Sequence, residues 1–221
     1  MPVRARAPLG WSGERSLPAS RAARRTRTPG TLNALARRLR ARPPSVGPVR
    51  LVAVDGHAGS GKTTFSGRLS AALGDAPVLH LDDLATHEEL FEWTGRLREW
   101  ILAPFACGEP ARYRVYDWVA RRFTDERVLE PAPVVLVEGV GAGRRELRPH
   151  LACLLWMELT HEGSWERGQL RDGPGLTDFW DGWKRAEREH FTTDPTRPYA
   201  ELLVLERPEG YELLPGPRKT D

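Results

Sequence analysis

A short glycine-rich stretch between an apolar run and an amphipathic segment constrains the fold of this chain more than any other feature. The stretch GHAGSGKT at 56–63 fits the pattern G-x-x-x-x-G-K-[ST]. The run VRLVAV before it, at 49–54, is apolar on both faces, as in the middle of a parallel sheet. A helix over 62–73 is predicted after it, from apolar residues at helical spacing. Strand, glycine-rich loop and helix in this order form a phosphate-binding loop, or P-loop.

The residues of this loop indicate nucleotide phosphates as its ligand. Glycine adopts backbone torsions closed to other residues, so successive N–H groups can turn toward phosphate oxygens, and the following helix presents its positive end. Lys62 is expected to reach the β and γ phosphates, and the Thr63 hydroxyl to ligate Mg²⁺. ATP and Mg²⁺ are the predicted ligands. The predicted ATP-binding residues are Gly56, His57, Ala58, Gly59, Ser60, Gly61, Lys62, Thr63 and Thr64.

Strands and helices alternate along the rest of the chain. Apolar runs predict further strands at 77–81, 134–137, 152–159 and 201–205, and a long helix is predicted near 88–106. This alternation is typical of a mostly parallel sheet with helices on both faces, whose ligands bind at the carboxyl ends of the strands. We therefore predict an α/β, P-loop NTPase fold with about five strands.

Charge and composition divide the chain into three parts. Residues 1–44 hold 11 arginines and one acid, a formal charge of +10, which leaves −7 for the rest. We predict a basic, flexible leader at 1–30, a P-loop domain at 31–206 that begins with a helix at 31–42, and a C-terminal tail at 207–221. Organellar transit peptides are also rich in arginine and poor in acids, but the proline and glycine content of residues 1–30 favours a flexible leader. Nucleic acid is expected as a partner only through this leader.

Cysteine content and hydropathy indicate the compartment. Cys107 and Cys153 are the only cysteines and stand far apart, so neither a disulfide framework nor a zinc site is expected. No apolar run approaches the roughly 18 residues of a membrane-spanning helix. We therefore predict a cytoplasmic protein without a membrane partner.

Acidic residues follow two of the predicted strands, on the side of the sheet where the P-loop lies. The run PVLHL ends in Asp82 and Asp83, and the run PVVLV ends in Glu138. One acid can hold a metal ion while another accepts a proton from an attacking hydroxyl, which is the layout of a kinase site. For the aspartate pair, capping of the following helix is the alternative role. Glu138 follows four apolar residues and needs a partner, so a metal-linked role is predicted.

Five motifs, in this order, make residues 46–206 resemble the uridine kinase and phosphoribulokinase family of P-loop kinases. They are VDGHAGSGKTT at 54–64, HLDDL at 80–84, VYDW at 115–118, VLVEGV at 135–140 and RGQLRD at 167–172. The resemblance implies a P-loop kinase domain with a small mobile lid. It also implies transfer of the γ-phosphate of ATP, with Mg²⁺, to a hydroxyl of a nucleoside or similar small acceptor.

The resemblance further implies roles for single residues. Asp82 is the expected general base and a neighbour of the metal, which Thr63 and Glu138 bind, and Lys62 contacts the transferring phosphate. Two lid arginines are expected to clamp that phosphate: Arg167 and Arg171. The residues expected at the acceptor are Asp83, Glu92, Tyr116 and Arg121.

Departures from the family pattern keep other functions open. Arg121 stands where uridine-cytidine kinases carry a histidine that reads the pyrimidine, and Leu84 stands where an aromatic residue follows the acidic pair. The lid also lacks further arginines after Arg171. A non-nucleoside alcohol, such as a sugar phosphate, a vitamin or an antibiotic-like compound, is therefore the alternative acceptor. Outside enzymes, the alternative is a nucleotide-dependent regulator whose basic leader binds nucleic acid.

Ordinary structural roles compete with several of these assignments. Tyr116 and Trp118 also fit aromatic packing on a β segment, and Arg167 and Arg171, four residues apart, also fit a solvated helix face. Packing is the predicted role of four tryptophans: Trp156, Trp165, Trp180 and Trp183. His57 is interpreted as the occupant of an unconstrained position in the loop.

Overall fold

A computed structural model describes residues 32–217, and these form an α/β architecture around one six-stranded sheet. The strands of the described chain are β1 (Arg50–Asp55), β2 (Val78–His80), β3 (Ala111–Asp117), β4 (Arg122–Leu129), β5 (Val134–Glu138), β6 (Cys153–Met157), β7 (Leu202–Arg207) and β8 (Gly210–Pro215). The sheet has the order β2-β5-β1-β6-β7-β8, and all neighbours are parallel except β7 and β8. The predicted mostly parallel sheet is confirmed, with six strands where about five were expected.

Helices cover both faces of this sheet. They are α1 (Leu32–Arg40), α2 (Lys62–Ala72), α3 (Thr94–Leu97), α4 (Ala103–Ala106), α5 (His161–Asp172) and α6 (Thr177–Thr193). On one face, α1 and α2 contribute Leu35, Leu39, Phe65 and Leu69 to a buried cluster with alternate residues of the strands. The other face is covered by α3, α4 and the β3–β4 hairpin. Strands buried on both sides explain the continuous apolar runs in the sequence.

The amino-terminal predictions fall partly outside the described residues. The leader at 1–30 lies outside them, as does Thr31, the first residue of the helix predicted at 31–42. The described part of that helix is α1, which ends at Arg40. Among the described residues, no helix has both the length and the apolar character that a bilayer crossing requires.

The helix predicted near 88–106 is shorter and less regular than expected. Residues 84–93 form turns and irregular backbone, and the first α-helical residue is Thr94. A π turn at Arg98–Leu102 separates α3 from α4. Pro104 in α4 has no N–H to donate to the carbonyl group four residues earlier, so regular α-helical bonding cannot continue through this segment.

Two β elements were not among the five predicted strands. The antiparallel hairpin of β3 and β4 forms a separate two-stranded sheet beside the central one. The segment predicted as a tail at 207–221 contains β8, which pairs with β7. Tyr211 and Leu213 of β8 pack against the α2 face of the core, and the Tyr211 ring lies 4.9 Å from the Phe65 ring. Burial of this alternating pair explains why the sheet continues past 206.

The helices α5 and α6 pack together at the carboxyl end of the sheet. A small apolar cluster joins them to the loops there: Phe91, Val140, Trp165, Trp180 and Trp183. Gly168 of α5 allows this packing, because a Cβ atom at that position would lie 2.3 Å from the Trp180 ring. The residues predicted to form a lid, at 167–180, lie at the end of α5, in residues 173–176 and at the start of α6, and their mobility stays a prediction.

Candidate active site

The P-loop joins the carboxyl end of β1 to α2, as predicted. Gly59 and Gly61 have φ values of +84° and +93°, which other residues rarely adopt. The first amides of α2, beginning at Lys62, have no partners within the helix. Lys62 is buried, and its ammonium group donates to the carbonyl oxygens of Gly56 at 2.9 Å and His57 at 3.0 Å. Backbone amides, a helix start and a cation at one place suit an anionic ligand.

A buried acid that the sequence analysis overlooked holds the start of this loop. Asp55 is fully buried at the end of β1. Its Oδ1 accepts hydrogen bonds from the amides of Gly56 at 2.7 Å and Gly141 at 2.9 Å, and its Oδ2 accepts one from Gly143 at 2.9 Å. The P-loop is thereby tied to the loop after β5. The sequence does mark Asp55, because it follows an apolar strand just as Glu138 does, and an acid in that position needs a partner.

Glu138 ends β5 beside the start of α2. Its Oε1 accepts a hydrogen bond from Thr63 Oγ1 at 3.0 Å and lies 2.5 Å from Nδ1 of His80. The hydrogen bond with Glu138 raises the pKa of His80 above its ordinary value, although burial opposes it. A hydroxyl and a carboxylate side by side are oxygen ligands of the kind Mg²⁺ takes. The structure brings Thr63 and Glu138 together, and their role as ligands stays a prediction.

Asp82 follows β2 in a short 3₁₀ turn, Leu81–Asp83. Its pKa is raised above the ordinary value, first by burial among the surrounding protein atoms and then by the charge of Glu138. The side chain is nevertheless exposed to the cavity described below, so water there weakens the first effect. A carboxylate with a raised pKa accepts a proton more readily near neutral pH. Capping of the following helix does not occur, because α3 begins only at Thr94.

Asp83 points to the β3–β4 hairpin. Its Oδ2 lies 3.2 Å from the guanidinium group of Arg127 and accepts a hydrogen bond from the Tyr113 hydroxyl at 3.4 Å. Burial raises the pKa of Asp83, and Arg127 partly opposes this effect. The two neighbouring aspartates therefore have different surroundings, and only Asp82 lines the cavity.

One cavity of about 330 Å³ opens at the carboxyl ends of the strands. Six predicted ATP-binding residues line it: Ala58, Gly59, Gly61, Lys62, Thr63 and Thr64. The other three, Gly56, His57 and Ser60, belong to the same loop but are not among its lining residues. Asp82 and Glu138 also line the cavity, so the structure gathers the P-loop and both predicted acids around one space.

The two arginines predicted in the lid lie on α5 and line the same cavity. Arg167 donates to Glu206 at 2.9 Å, and Arg171 donates to Asp172 at 2.6 Å. The hydrogen bond with Asp172 raises the pKa of Arg171. Both residues are exposed, which fits the solvated-face interpretation, but their position at the cavity also suits contact with a phosphate.

The four residues predicted to bind the acceptor are not among those that line the cavity. Tyr116 is buried, and its hydroxyl lies 3.0 Å from Nδ1 of His87, an arrangement that fits aromatic packing. Arg121 pairs with Glu88 at 2.9 Å on the surface. Glu92 is exposed near Arg144. Together with Asp83, these residues stay predictions as acceptor ligands.

Aromatic side chains form one side of the cavity, and we call these four residues the aromatic wall: Trp118, Phe179, Trp180 and Trp183. The Trp118 indole N–H donates to the main-chain oxygen of Asp82 at 3.1 Å. The Phe179 ring lies 6.1 Å from the Trp118 ring and 5.9 Å from the Trp183 ring. Trp180 and Trp183 are buried, as their predicted packing role requires, and they line the cavity as well.

Known proteins resemble this chain in structure and not detectably in sequence. No protein-family model matches the chain, and no curated protein matches it. A structure described as a possible uridine kinase from Bacillus stearothermophilus is 17% identical, with a TM-score of 0.58 over 78% of this chain and 96% of that one. A structure described as a fructose transport system kinase from Silicibacter sp. TM1040 is 22% identical, with a TM-score of 0.52 over 73% and 88%. The chain therefore shares its fold with these two structures.

Proposed function

We propose that this protein is an ATP- and Mg²⁺-dependent small-molecule kinase of the uridine kinase type, which transfers the γ-phosphate to a hydroxyl of a small acceptor. The observation that carries the proposal is the composition of one cavity. Its lining includes the P-loop lysine, a hydroxyl beside a carboxylate, a second carboxylate with a raised pKa, and two arginines. These are the parts that phosphoryl transfer requires, and a nucleotide switch does not need all of them.

The P-loop end of the cavity binds the phosphates of ATP in this proposal. Lys62 and the amides at the start of α2 supply positive charge and N–H donors. Arg171 is close enough to Asp82 for their charges to interact, which places a cation near the proposed base. Together with Arg167, it would stabilise charge that builds on the transferring phosphoryl group.

Mg²⁺ fits the residues at the start of α2. Thr63 Oγ1 and Glu138 Oε1 are hydrogen-bonded at 3.0 Å, and Glu138 is almost fully buried, so two hard oxygen ligands already lie together. These two residues would hold the ion, with Asp82 as a neighbour. When bound, Mg²⁺ neutralises phosphate charge and favours attack at phosphorus.

Asp82 acts as the general base in this proposal. An acceptor hydroxyl beside it would lose its proton to the carboxylate as the new oxygen–phosphorus bond forms and the bond to ADP breaks. The raised pKa of Asp82 suits this transfer, because a base is most effective when its pKa is close to the working pH. The hydrogen bond from Trp118 to the main chain of Asp82 supports the position of the turn.

The acceptor is a nucleoside or a similar alcohol in the first form of the proposal. A non-nucleoside alcohol is the second candidate, and one observation favours it. The family resemblance assigns Tyr116 and Arg121 to the nucleoside, but neither residue lines the cavity. The aromatic wall lines it instead. Both candidate acceptors would use the same phosphate site and the same general base, Asp82. They differ only in the part of the acceptor that contacts the aromatic wall.

ADP release by the purified full-length chain with Mg-ATP tests the proposed function. Nucleosides, sugar phosphates, vitamins and antibiotic-like alcohols are supplied in turn, and at least one class is expected to stimulate ADP release that EDTA abolishes. Nucleotide binding without stimulation by any acceptor would contradict the kinase. Salt-sensitive nucleic-acid binding that disappears on deletion of the leader at 1–30, which leaves the core helix α1 intact, would then favour the regulator instead.

A further inference from the structure

The helix α6 supplies a buried carboxylate to the P-loop. Glu187 is fully buried, and its side chain reaches the loop across 129 residues of sequence. Its Oε1 lies 2.6 Å from Nδ1 of His57, and its Oε2 accepts a hydrogen bond from the amide of Ala58 at 3.1 Å. A backbone donor and a side chain of the phosphate-binding loop are thus held by an acid from outside the loop.

The same carboxylate is bound on its other side by two indole groups. Trp165 of α5 donates to Oε1 at 3.1 Å, and Trp183 of α6 donates to Oε2 at 2.7 Å. Each oxygen therefore has one partner in the P-loop and one in the α5–α6 pair. Burial acts to raise the pKa of Glu187, but its hydrogen bonds and the nearby charges of His57 and Lys62 outweigh this effect and lower it. A carboxylate with this many partners stays ionised in the folded protein.

Two further observations connect the α5–α6 pair to the cavity and to the P-loop. Trp183, one of its indole partners, belongs to the aromatic wall. Gly59 of the P-loop lies so close to α5 that a Cβ atom there would be 2.0 Å from the carbonyl oxygen of Ser164. The P-loop therefore contacts α5, which carries both lid arginines, and α6, which carries three residues of the aromatic wall. A displacement of α6 would break the bonds to His57 and Ala58 together.

We propose that Glu187 is a positioning residue, whose carboxylate holds His57 and the Ala58 amide so that the P-loop keeps its phosphate-binding shape while α6 is docked. The inference rests on the proposed function, in which this loop binds ATP. It reinterprets His57, which occupies a set position between Glu187 and the rings of Trp156 and Phe191, at 5.3 Å and 5.1 Å. Glu187 touches no reacting atom in this account and acts through the loop.

The variant Glu187→Gln tests this inference with little change of shape. Glutamine has one acceptor oxygen, and its amide group would face one of the present donors, so the loop contacts cannot all survive. We expect the Kd for Mg-ATP to rise at least about tenfold, the effect of losing a charge-assisted hydrogen bond. We also expect faster hydrogen exchange at the amides of residues 56–61. Glu189→Gln, an exposed change on the same helix, is the matched control and should leave both measurements unchanged.

A second variant separates positioning from simple loss of stability. His57→Ala removes one loop partner, and adding Glu187→Gln to it should cost less affinity than Glu187→Gln alone, since the two residues act together. Unchanged Mg-ATP affinity in Glu187→Gln would overturn the inference, as would faster exchange spread evenly over the sheet. The exchange measurement needs no nucleotide, so it tests the contact even if the wild type fails to bind Mg-ATP, which would contradict the proposed function instead.

Discussion

The two ends of the cavity are built in different ways. The phosphate end comes from one continuous segment, β1, the P-loop and α2, at 50–72. The opposite end is assembled from the turn after β2, the hairpin of β3 and β4, the end of β5, and the helices α5 and α6. A local segment can be recognised by its spacing, whereas an assembled surface depends on how distant elements pack. Variants at the two ends should therefore affect different steps.

Lys62→Ala should have the largest effect, and it tests the phosphate end. The change removes the ammonium group that supplies positive charge at the P-loop, so kcat/KM is expected to fall by about a thousandfold or more. Circular dichroism should show an intact fold. Lys184→Ala, at a partly buried lysine of α6 that pairs with Asp181 and does not line the cavity, is the matched control. Near-normal turnover of Lys62→Ala would mean that phosphate binds elsewhere.

Asp82→Asn should lower kcat by about a hundredfold or more and leave the Kd for Mg-ATP almost unchanged, because it removes a base and not a phosphate contact. Steady-state kinetics and direct nucleotide binding measure the two effects separately. Asp83→Asn is the informative comparison, since Asp83 points to Arg127. A larger loss of kcat in Asp83→Asn would move the base to the other aspartate.

Gly59→Ala tests the contact between the two ends. A methyl group there meets Ser164 and also requires a positive φ, so we expect a loss of unfolding free energy of about 3 kcal/mol together with weaker Mg-ATP binding. Gly67→Ala is the control, because a Cβ atom at this position of α2 meets nothing within 4 Å. That control should be neutral or slightly stabilising. Equal melting temperatures for the two variants would argue against a close contact between the P-loop and α5.

Trp118→Ala should act on the acceptor end alone. Loss of an indole from the aromatic wall is expected to raise the KM of the acceptor about tenfold, while the Kd for Mg-ATP stays the same. Trp118→Phe keeps a ring without the N–H that donates to Asp82, so it separates contact with the acceptor from support of the turn. A parallel loss of nucleotide affinity would show that the wall does not belong to a distinct acceptor end.

Arg121→Ala should have the smallest effect. The residue pairs with Glu88 on the surface and does not line the cavity, so the acceptor KM is expected to change by less than about twofold. Glu88→Gln, which leaves the arginine without its partner, is the companion variant. A large rise in KM in Arg121→Ala would show that Arg121 contacts the acceptor, as the family resemblance implies.

The strands were predictable because they are apolar on both faces and bounded by glycine, proline or charge. The structure confirms the elements expected at 49–54, 134–137 and 152–159, with ends that differ by one or two residues. The predicted placement of Lys62, Asp82 and Glu138 around one space agrees with the cavity, because parallel strands end at one edge of the sheet. These inferences needed only local pattern and one rule of topology.

Other elements carried no comparable local signal. The strand β3 alternates buried residues with exposed arginines, β4 is mostly exposed, and β8 is only partly buried, so none of the three has the continuous apolar run of a core strand. The sequence predicts a long helix near 88–106, but Pro104 prevents regular α-helical bonding through that segment. Nothing in its neighbouring residues distinguishes Glu187 from the other charges of α6, since the donors that surround it come from residues as distant as His57.

The amino-acid sequence alone determined the phosphate end: eight consecutive residues specify a loop whose glycines, lysine and hydroxyl have their roles because of their spacing. Tertiary structure decided which side chains face that loop. Asp82 rather than Asp83 lines the cavity, Trp118 rather than Tyr116 does so in the hairpin, and Glu187 bonds to the loop from α6. The physical reason is that backbone geometry follows from neighbouring residues, whereas burial and charge pairing depend on segments that meet only when the sheet and helices pack.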